Sequence, residues 1–300
     1  MKHSETFSRI ALAVVVALGG LMACGSPTPD GGEQAATSEP LRIAFIAYQN
    51  PDQLLENVAP VAEYLEAVLG RPIKTFAATD YAGIVEALKA GTADVGFMGP
   101  LQYVIAHQQS GAVPILGEIY DGSPTYLSKI FVRKDSGIET LAQLEEKSMA
   151  FVDPLSSSGY LFPLETFIES GLIASRQDAE KFFRKIYFAG GDEQAIRAVL
   201  NKFVDAAGVG QYSVRLLRPE EREQLLAIAE SRPIPSHCVV VRSGLDPELT
   251  TALQTALLAL NEGENHGLLE NLYSIDGYIV ADDDTYAEVA SLARKNGFLK

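Results

Sequence analysis

Three hundred residues are enough for two ordinary domains, each with its own core. Apolar residues at 47% and charged residues at 21% give the balance of a folded globular chain and argue against disorder. The formal net charge of −15 repels DNA, RNA and anionic headgroups, which argues against a nucleic-acid partner. A small anionic ligand stays open, because directed N–H and O–H donors at one site can override the far field.

The N-terminus reads as an export signal. Lys2 and Arg9 supply positive charge, and Ile10 to Gly20 is an apolar run of about eleven residues, too short to span a bilayer. Leu21-Met22-Ala23-Cys24-Gly25 resembles a bacterial lipobox, which would leave Cys24 as the acylated first residue of the mature chain. Residues 1–24 are thus a lipoprotein signal peptide. Residues 25–40 (GSPTPDGGEQAATSEP) lack apolar periodicity and read as a flexible tether. With Cys24 lipidated, Cys238 stands alone and no disulfide forms within the mature chain.

From Leu41, short apolar runs alternate with amphipathic segments. Residues 41–48 predict a buried strand, and Leu54 to Leu69 a helix stopping at Gly70 with Pro72 beyond. A strand at 72–79 follows, then a helix from an Asp80 N-cap through Leu88, ended by Gly91. A strand at 93–99, a helix at 101–109 and a strand at 113–120 complete the first series. No fixed-period repeat appears, which excludes a solenoid. The second series starts in 126–138. It predicts a helix near 140–146, a strand at 148–154, a helix at 160–170, a strand at 185–190, a helix at 192–201 and a strand at 203–210. A return strand preceded by two prolines lies in 233–245, and two or three helices close the chain. This alternation implies βαβ units and mostly parallel sheets. The return strand makes the first lobe discontinuous, at 41–127 plus 238–300, with the second lobe at 128–237 between. Two such lobes leave a cleft where strand C-termini meet helix N-termini, the edge at which open α/β sheets bind ligands.

Asp153-Pro154-Leu155-Ser156-Ser157-Ser158-Gly159-Tyr160-Leu161-Phe162-Pro163 is the stretch richest in chemistry. A strand ends at Asp153, three serines turn the chain, and a helix starts near Gly159; Pro163 fits only in its first turn or so. The first N–H groups of a helix have no internal partner and carry partial positive charge, so the site can cradle an anion. Three hydroxyls add donors for separate oxygens, and Gly159 allows close backbone approach. A serine run alone is equally compatible with an ordinary N-cap whose neighbours face solvent.

DPLSSSGYLFP (153–163) resembles the DPxSxSGxLxP signature of the phosphate/phosphite/phosphonate-binding proteins of ABC transporters. Residues 78–106, 132–144, 188–209 and 234–245 are also similar to that family, so the resemblance spans about residues 41–260 in the expected order. It implies an α/β type II periplasmic binding fold, with two lobes that close on a ligand and a closed form that docks on the permease subunits of the transporter. By motif position, Ser156, Ser157 and Ser158 take the oxygens of a small oxyanion, and Tyr103, after the Gly99-Pro100 turn, reaches in from the other lobe. Tyr48, just past the first strand, is a further candidate for that role. Each tyrosine is otherwise an amphipathic rim residue. The chain is read as a monomer without cofactor or metal, held at the membrane by its N-terminal lipid.

Two positions depart from the family pattern. Asp192 (GGDEQ) stands where the family often has histidine, and His237 (IPSHC) where it often has an acid. If both face the cleft, acid and imidazole have exchanged sides; otherwise Asp192 caps the helix over 193–201. An ionised Asp192 beside a dianion opposes binding, which points to a ligand bearing a proton or an amine. Asp205 reads as structural. Catalytic readings find little: there are four histidines, and no GxSxG elbow, HExxH, P-loop or Ser-His-Asp order. A hydrolase using Ser157, and a sensor presenting an oxyanion to a membrane histidine kinase (arsenite among the candidates, with Cys238 as soft ligand), are the alternatives.

Overall fold

The computed structural model describes residues 39–46 and 50–299. The signal segment, Cys24, most of the tether and Tyr48 lie outside the described residues. In chain order the strands of the first half are β1 (Leu41–Ile46), β2 (Ile73–Ala78), β3 (Val95–Met98), β4 (Val113–Ile119), β5 (Thr125–Tyr126) and β6 (Ser128–Arg133). Then come β7 (Ser148–Phe151), β8 (Lys185–Phe188), β9 (Ala206–Gly210), β10 (Leu225–Glu230), β11 (Ile234–Pro235), β12 (Cys238–Val241) and β13 (Gly277–Val280).

They form two main sheets, ordered β13-β4-β12-β3-β1-β2 and β10-β6-β9-β7-β8, while β5 and β11 pair with each other. Each sheet is the centre of one α/β lobe. The expectation of mostly parallel sheets is corrected. Only β1 with β2 and β3, and β7 with β8 and β9, run parallel. The return strand β12 enters lobe 1 antiparallel to both β3 and β4, and β6 lies antiparallel to β9 and β10. β13 also lies antiparallel, to β4; β6 and β12 arrive from the other lobe without a crossover helix, and such strands need not run parallel.

Two of the strands were not predicted. LLAIAE of β10 follows the charged PEEREQ segment and forms a strand antiparallel to β6. The four residues of β13 are too few to show a period. The helix expected near 140–146 is a 3-10 turn, Leu141–Leu144.

The helices that matter for the site begin at its edge. Pro51–Leu69 starts on Asn50, whose side chain accepts from the Asp52 N–H at 2.9 Å, and stops at Gly70 with φ of 62°. Asp80 caps Tyr81–Lys89 by accepting from Gly83 N at 2.7 Å, as expected. Pro100–Ser110 follows β3, and Asp192–Leu200 follows β8. Lobe 1 packs around stacked Phe45 and Phe97, 4.6 Å between centroids, and lobe 2 around Phe151, Phe167, Phe182 and Phe183. Burying each such ring contributes roughly 1.5–3 kcal/mol, and among the described residues Cys238 is a free thiol. Between the lobes, Tyr126 pairs with Ile234 and Thr125 with Pro235, so the two crossing segments are tied into one short ribbon.

Candidate functional site

The serine turn is built by local sequence. Asp153 folds back to accept from Leu155 N at 2.7 Å, and Ser156 Oγ accepts from Gly159 N at 3.0 Å. A π-helical turn, Ser157–Leu161, then leads into the helix Phe162–Glu169, with Pro163 in its first turn as expected. Gly159 is required here by space. A Cβ at Gly159 would stand 2.3 Å from Val152 Cγ2, because the turn is pressed onto the end of β7. All three serines are buried.

The hydroxyls are held from both lobes. Ser157 Oγ accepts from the Leu101 N–H at 2.9 Å, so the first turn of Pro100–Ser110 in lobe 1 meets the serine turn of lobe 2. With its lone pair used in this way, Ser157 keeps its own proton to donate. Ser158 and Ser157 stand close enough to the Tyr126 phenol, and Ser156 to the Tyr81 phenol, to oppose in part the effect of burial on each. Burial pushes both phenols well above their usual range, so they remain protonated.

These groups line a cavity of about 400 Å³ between the lobes. Asn50, Tyr81, Gly99, Ser157 and Asp192 each stand at or beside the start of a helix, so five helix N-termini converge on it. Each brings partial positive charge, although Asp52, Gly83, Leu101 and Gly159 already give their N–H groups to Asn50, Asp80, Ser157 and Ser156. No lysine or arginine lines the cavity among the described residues. Tyr120, Tyr126, Tyr212 and Tyr273 give the wall an aromatic part, beside the aliphatic Ile46, Leu54 and Leu216. The lobes also touch across the cleft, where Tyr120 and Tyr212 rings lie 5.6 Å apart and Arg215 pairs with Asp121.

Asp192 and His237 both line this cavity. Asp192 is more than a cap, since Gly191 occupies the N-cap position. Its Oδ1 accepts from Gly210 N at 3.1 Å and from the Ser213 hydroxyl at 2.7 Å, and burial pushes the carboxyl up. His237 stacks on Tyr126 at 5.3 Å, with Tyr120 edge-on at 6.1 Å. Burial pushes the imidazole down to about 4, so at neutral pH it is an uncharged ring and no cation replaces the acid that the family often has there.

Two expectations are corrected. Tyr103 does not enter the cavity. It turns to the opposite side of its helix, where its hydroxyl bonds Asp283 and its ring packs on Tyr286, lining a separate cavity of about 310 Å³. Position 102, one step earlier, faces the cleft side instead: Gln102 accepts from Gly99 N at 2.8 Å and donates to Tyr81 O at 2.9 Å. Cys238 is fully buried in β12 and donates to Met98 O, so it is no soft ligand in the cavity. Asp205, by contrast, is structural as read, accepting from Ser148 N and Oγ at 2.8 and 2.6 Å.

Sequence reasoning missed Tyr81, Tyr120, Tyr126, Tyr212 and Tyr273. Tyr81 directly follows the Asp80 cap, and that position after an N-cap at a strand's C-terminal edge was the one available signal.

Comparisons with known proteins identify the family. The family described as "ABC transporter, phosphonate, periplasmic substrate-binding protein" matches residues 43–286. The phosphate-import protein PhnD of Mycolicibacterium smegmatis is 30% identical over 252 residues, covering 81% of this chain and 78% of that protein. The phosphonates-binding periplasmic protein of Escherichia coli is 31% identical, covering 68% of this chain and 61% of its own length. Among solved structures, a binding protein component of an ABC phosphonate transporter from Pseudomonas aeruginosa superposes with a TM-score of 0.75 at 25% identity, covering 84% of this chain and 85% of that one. The PhnD1 protein of Prochlorococcus marinus, in complex with methylphosphonate, shares the fold with a TM-score of 0.75 at 19% identity, over 85% of this chain and 97% of that one. The chain therefore belongs to the phosphonate periplasmic substrate-binding proteins of ABC transporters, and it is a two-lobed α/β binding protein rather than an enzyme.

Proposed function

We propose that the protein captures a phosphorus oxyanion (phosphate, phosphite or a phosphonate) in the interlobe cavity and delivers it to its permease for import. The observation that carries this reading is the meeting of five helix N-termini and the Ser156-Ser157-Ser158 turn in a cavity that no lysine or arginine lines among the described residues. Neutral N–H and O–H donors in a dry cleft satisfy separate oxygens by geometry, and shorten against an anion. In this reading Ser157 and Ser158 donate to the anion beside the Tyr126 phenol, and Asp192 and His237 face the same ligand. Tyr48 is kept in this reading as a further ligand residue. The volume of about 400 Å³ leaves room for an organic substituent on phosphorus, at the scale of sites for small organic ligands.

The mature chain works as a monomer anchored through lipid on Cys24, with residues 25–40 as tether. No helix among the described residues is long and apolar enough to cross a membrane. Cys24→Ala should move the protein from the membrane fraction to the soluble exported fraction. Calorimetric titration with phosphate, phosphite, methylphosphonate, 2-aminoethylphosphonate and sulfate tests the ligand class. A phosphorus compound should bind below about 100 μM, or roughly −5.5 kcal/mol. Binding of sulfate alone, or of none, would overturn the reading.

A further inference from the structure

The wall beside the serine turn carries acid and no base. Asp192 and Glu193 both line the cavity, and no lysine or arginine does among the described residues. The Asp192 carboxylate is pinned through Oδ1 by Gly210 N–H at 3.1 Å and by the Ser213 hydroxyl at 2.7 Å. A methyl group built on Gly210 would stand 3.2 Å from Ser158 Oγ and 3.7 Å from Asp192 Oδ1. The serine hydroxyl and the carboxylate therefore flank the same patch of bare backbone, and an oxyanion taken by Ser158 lies beside Asp192.

Other titratable groups around Asp192 do not relieve this. Glu193 is paired with Arg197 at 2.7 Å. Tyr81 and Tyr126 feel the Asp192 charge directly, and it helps keep both phenols protonated. Asp80 and Asp153 add negative charge on the Tyr81 side. His237 is neutral above about pH 4. Two bare anionic oxygens across a low-dielectric gap repel, whereas a proton between them makes a short charge-assisted hydrogen bond.

We infer that the protein selects the protonated form of its oxyanion, with Asp192 accepting a hydrogen bond from a P–OH group. The inference rests on the oxyanion reading of the cavity and sharpens it. When the ligand in solution is fully ionised, binding takes one proton from solvent, and that proton ends between a phosphorus oxygen and the Asp192 carboxylate. When the ligand already carries its proton, none is taken up.

Calorimetry of the whole protein with methylphosphonate, in buffers that differ in ionisation heat, counts the protons. Above the second ionisation of the ligand, uptake should be about one per ligand bound, falling toward zero below it. Asp192→Asn keeps an acceptor for Gly210 and Ser213 and turns an N–H toward the ligand. It should abolish the uptake and raise affinity for the fully ionised ligand about tenfold. Binding of methylphosphonate without proton uptake by the wild type overturns the inference and leaves the oxyanion reading standing. Unchanged uptake in Asp192→Asn overturns the role of Asp192. Failure of every phosphorus compound to bind overturns the oxyanion reading and this inference together. A wild-type count of zero overturns the inference whether or not the variant folds.

Discussion

The two walls of the cavity are made in different ways. The serine wall is one continuous piece of chain, Asp153 to Pro163, whose turn, cap and helix start are set by residues within a few positions of one another. The aromatic wall is assembled from five separate segments, with Tyr81 at a helix start, Tyr120 and Tyr126 on either side of the lobe crossing, and Tyr212 and Tyr273 far along the chain. A local wall fails through its own backbone. An assembled wall fails through the packing and ionisation of the groups behind it.

The largest break should come at Gly159. An alanine Cβ at 2.3 Å from Val152 Cγ2 cannot be accommodated without moving the turn. Gly159→Ala should cost about 3 kcal/mol or more of stability and abolish ligand binding, read by denaturant melts and calorimetry. A variant that binds normally would mean the turn does not depend on its contact with β7.

The aromatic wall should be broken by pH instead. His237 is held near 4 in the folded protein against an ordinary value of 6.5. Its contribution is therefore intact above pH 6.5 and is lost as pH falls from 6.5 toward 4, by up to about 3 kcal/mol. His237→Gln should flatten that part of the stability profile. Glu118, buried behind Tyr120 and bonded to its hydroxyl at 2.6 Å, is pushed up to about 7 and slopes the other way. It favours the fold at low pH and loses that effect as pH rises from about 4.5 through 7, so Glu118→Gln should raise stability at pH 8 relative to wild type.

Removing a single donor from the serine wall is milder. Ser157→Ala leaves the Leu101 N–H without its acceptor and deletes a hydroxyl at the anion, costing about 1.5–3 kcal/mol of binding, or roughly ten- to hundredfold in Kd. Ser158→Ala should cost a similar amount. The smallest effects lie outside both walls. Arg215→Ala breaks an exposed pair with Asp121 and a stacking contact behind Tyr212, and should change affinity by less than about 1 kcal/mol. Tyr103→Phe, which removes a bond to Asp283 on the far side of the helix, should leave Kd unchanged; a clear loss would return Tyr103 to the site.

What was legible in the sequence follows the same division. Caps and turns that depend on neighbours, such as Asp80, Gly70 and the serine run, could be read directly, because each names its own partner within three or four residues. Strand order and direction could not, because β6 and β12 take their sense from the lobe crossing rather than from any local period. Tyr103 shows the limit at the level of one residue. Its place in the motif says that it starts a helix at the cleft, yet a helix turns about 100° per residue, and that rotation aims Gln102 at Tyr81 and Tyr103 at Asp283. Asp192 and His237 were visible as departures from a pattern, but only the packing of Tyr120 and Tyr126 around His237 reveals that it is neutral.

The most direct test of the central claim is a crystal structure of the protein with methylphosphonate bound. The phosphonate oxygens should lie within about 3 Å of Ser157 Oγ, Ser158 Oγ and helix N–H groups of both lobes, with one oxygen against Asp192. A phosphonate held by a lysine or arginine, or seated away from the 156–158 turn, would contradict it.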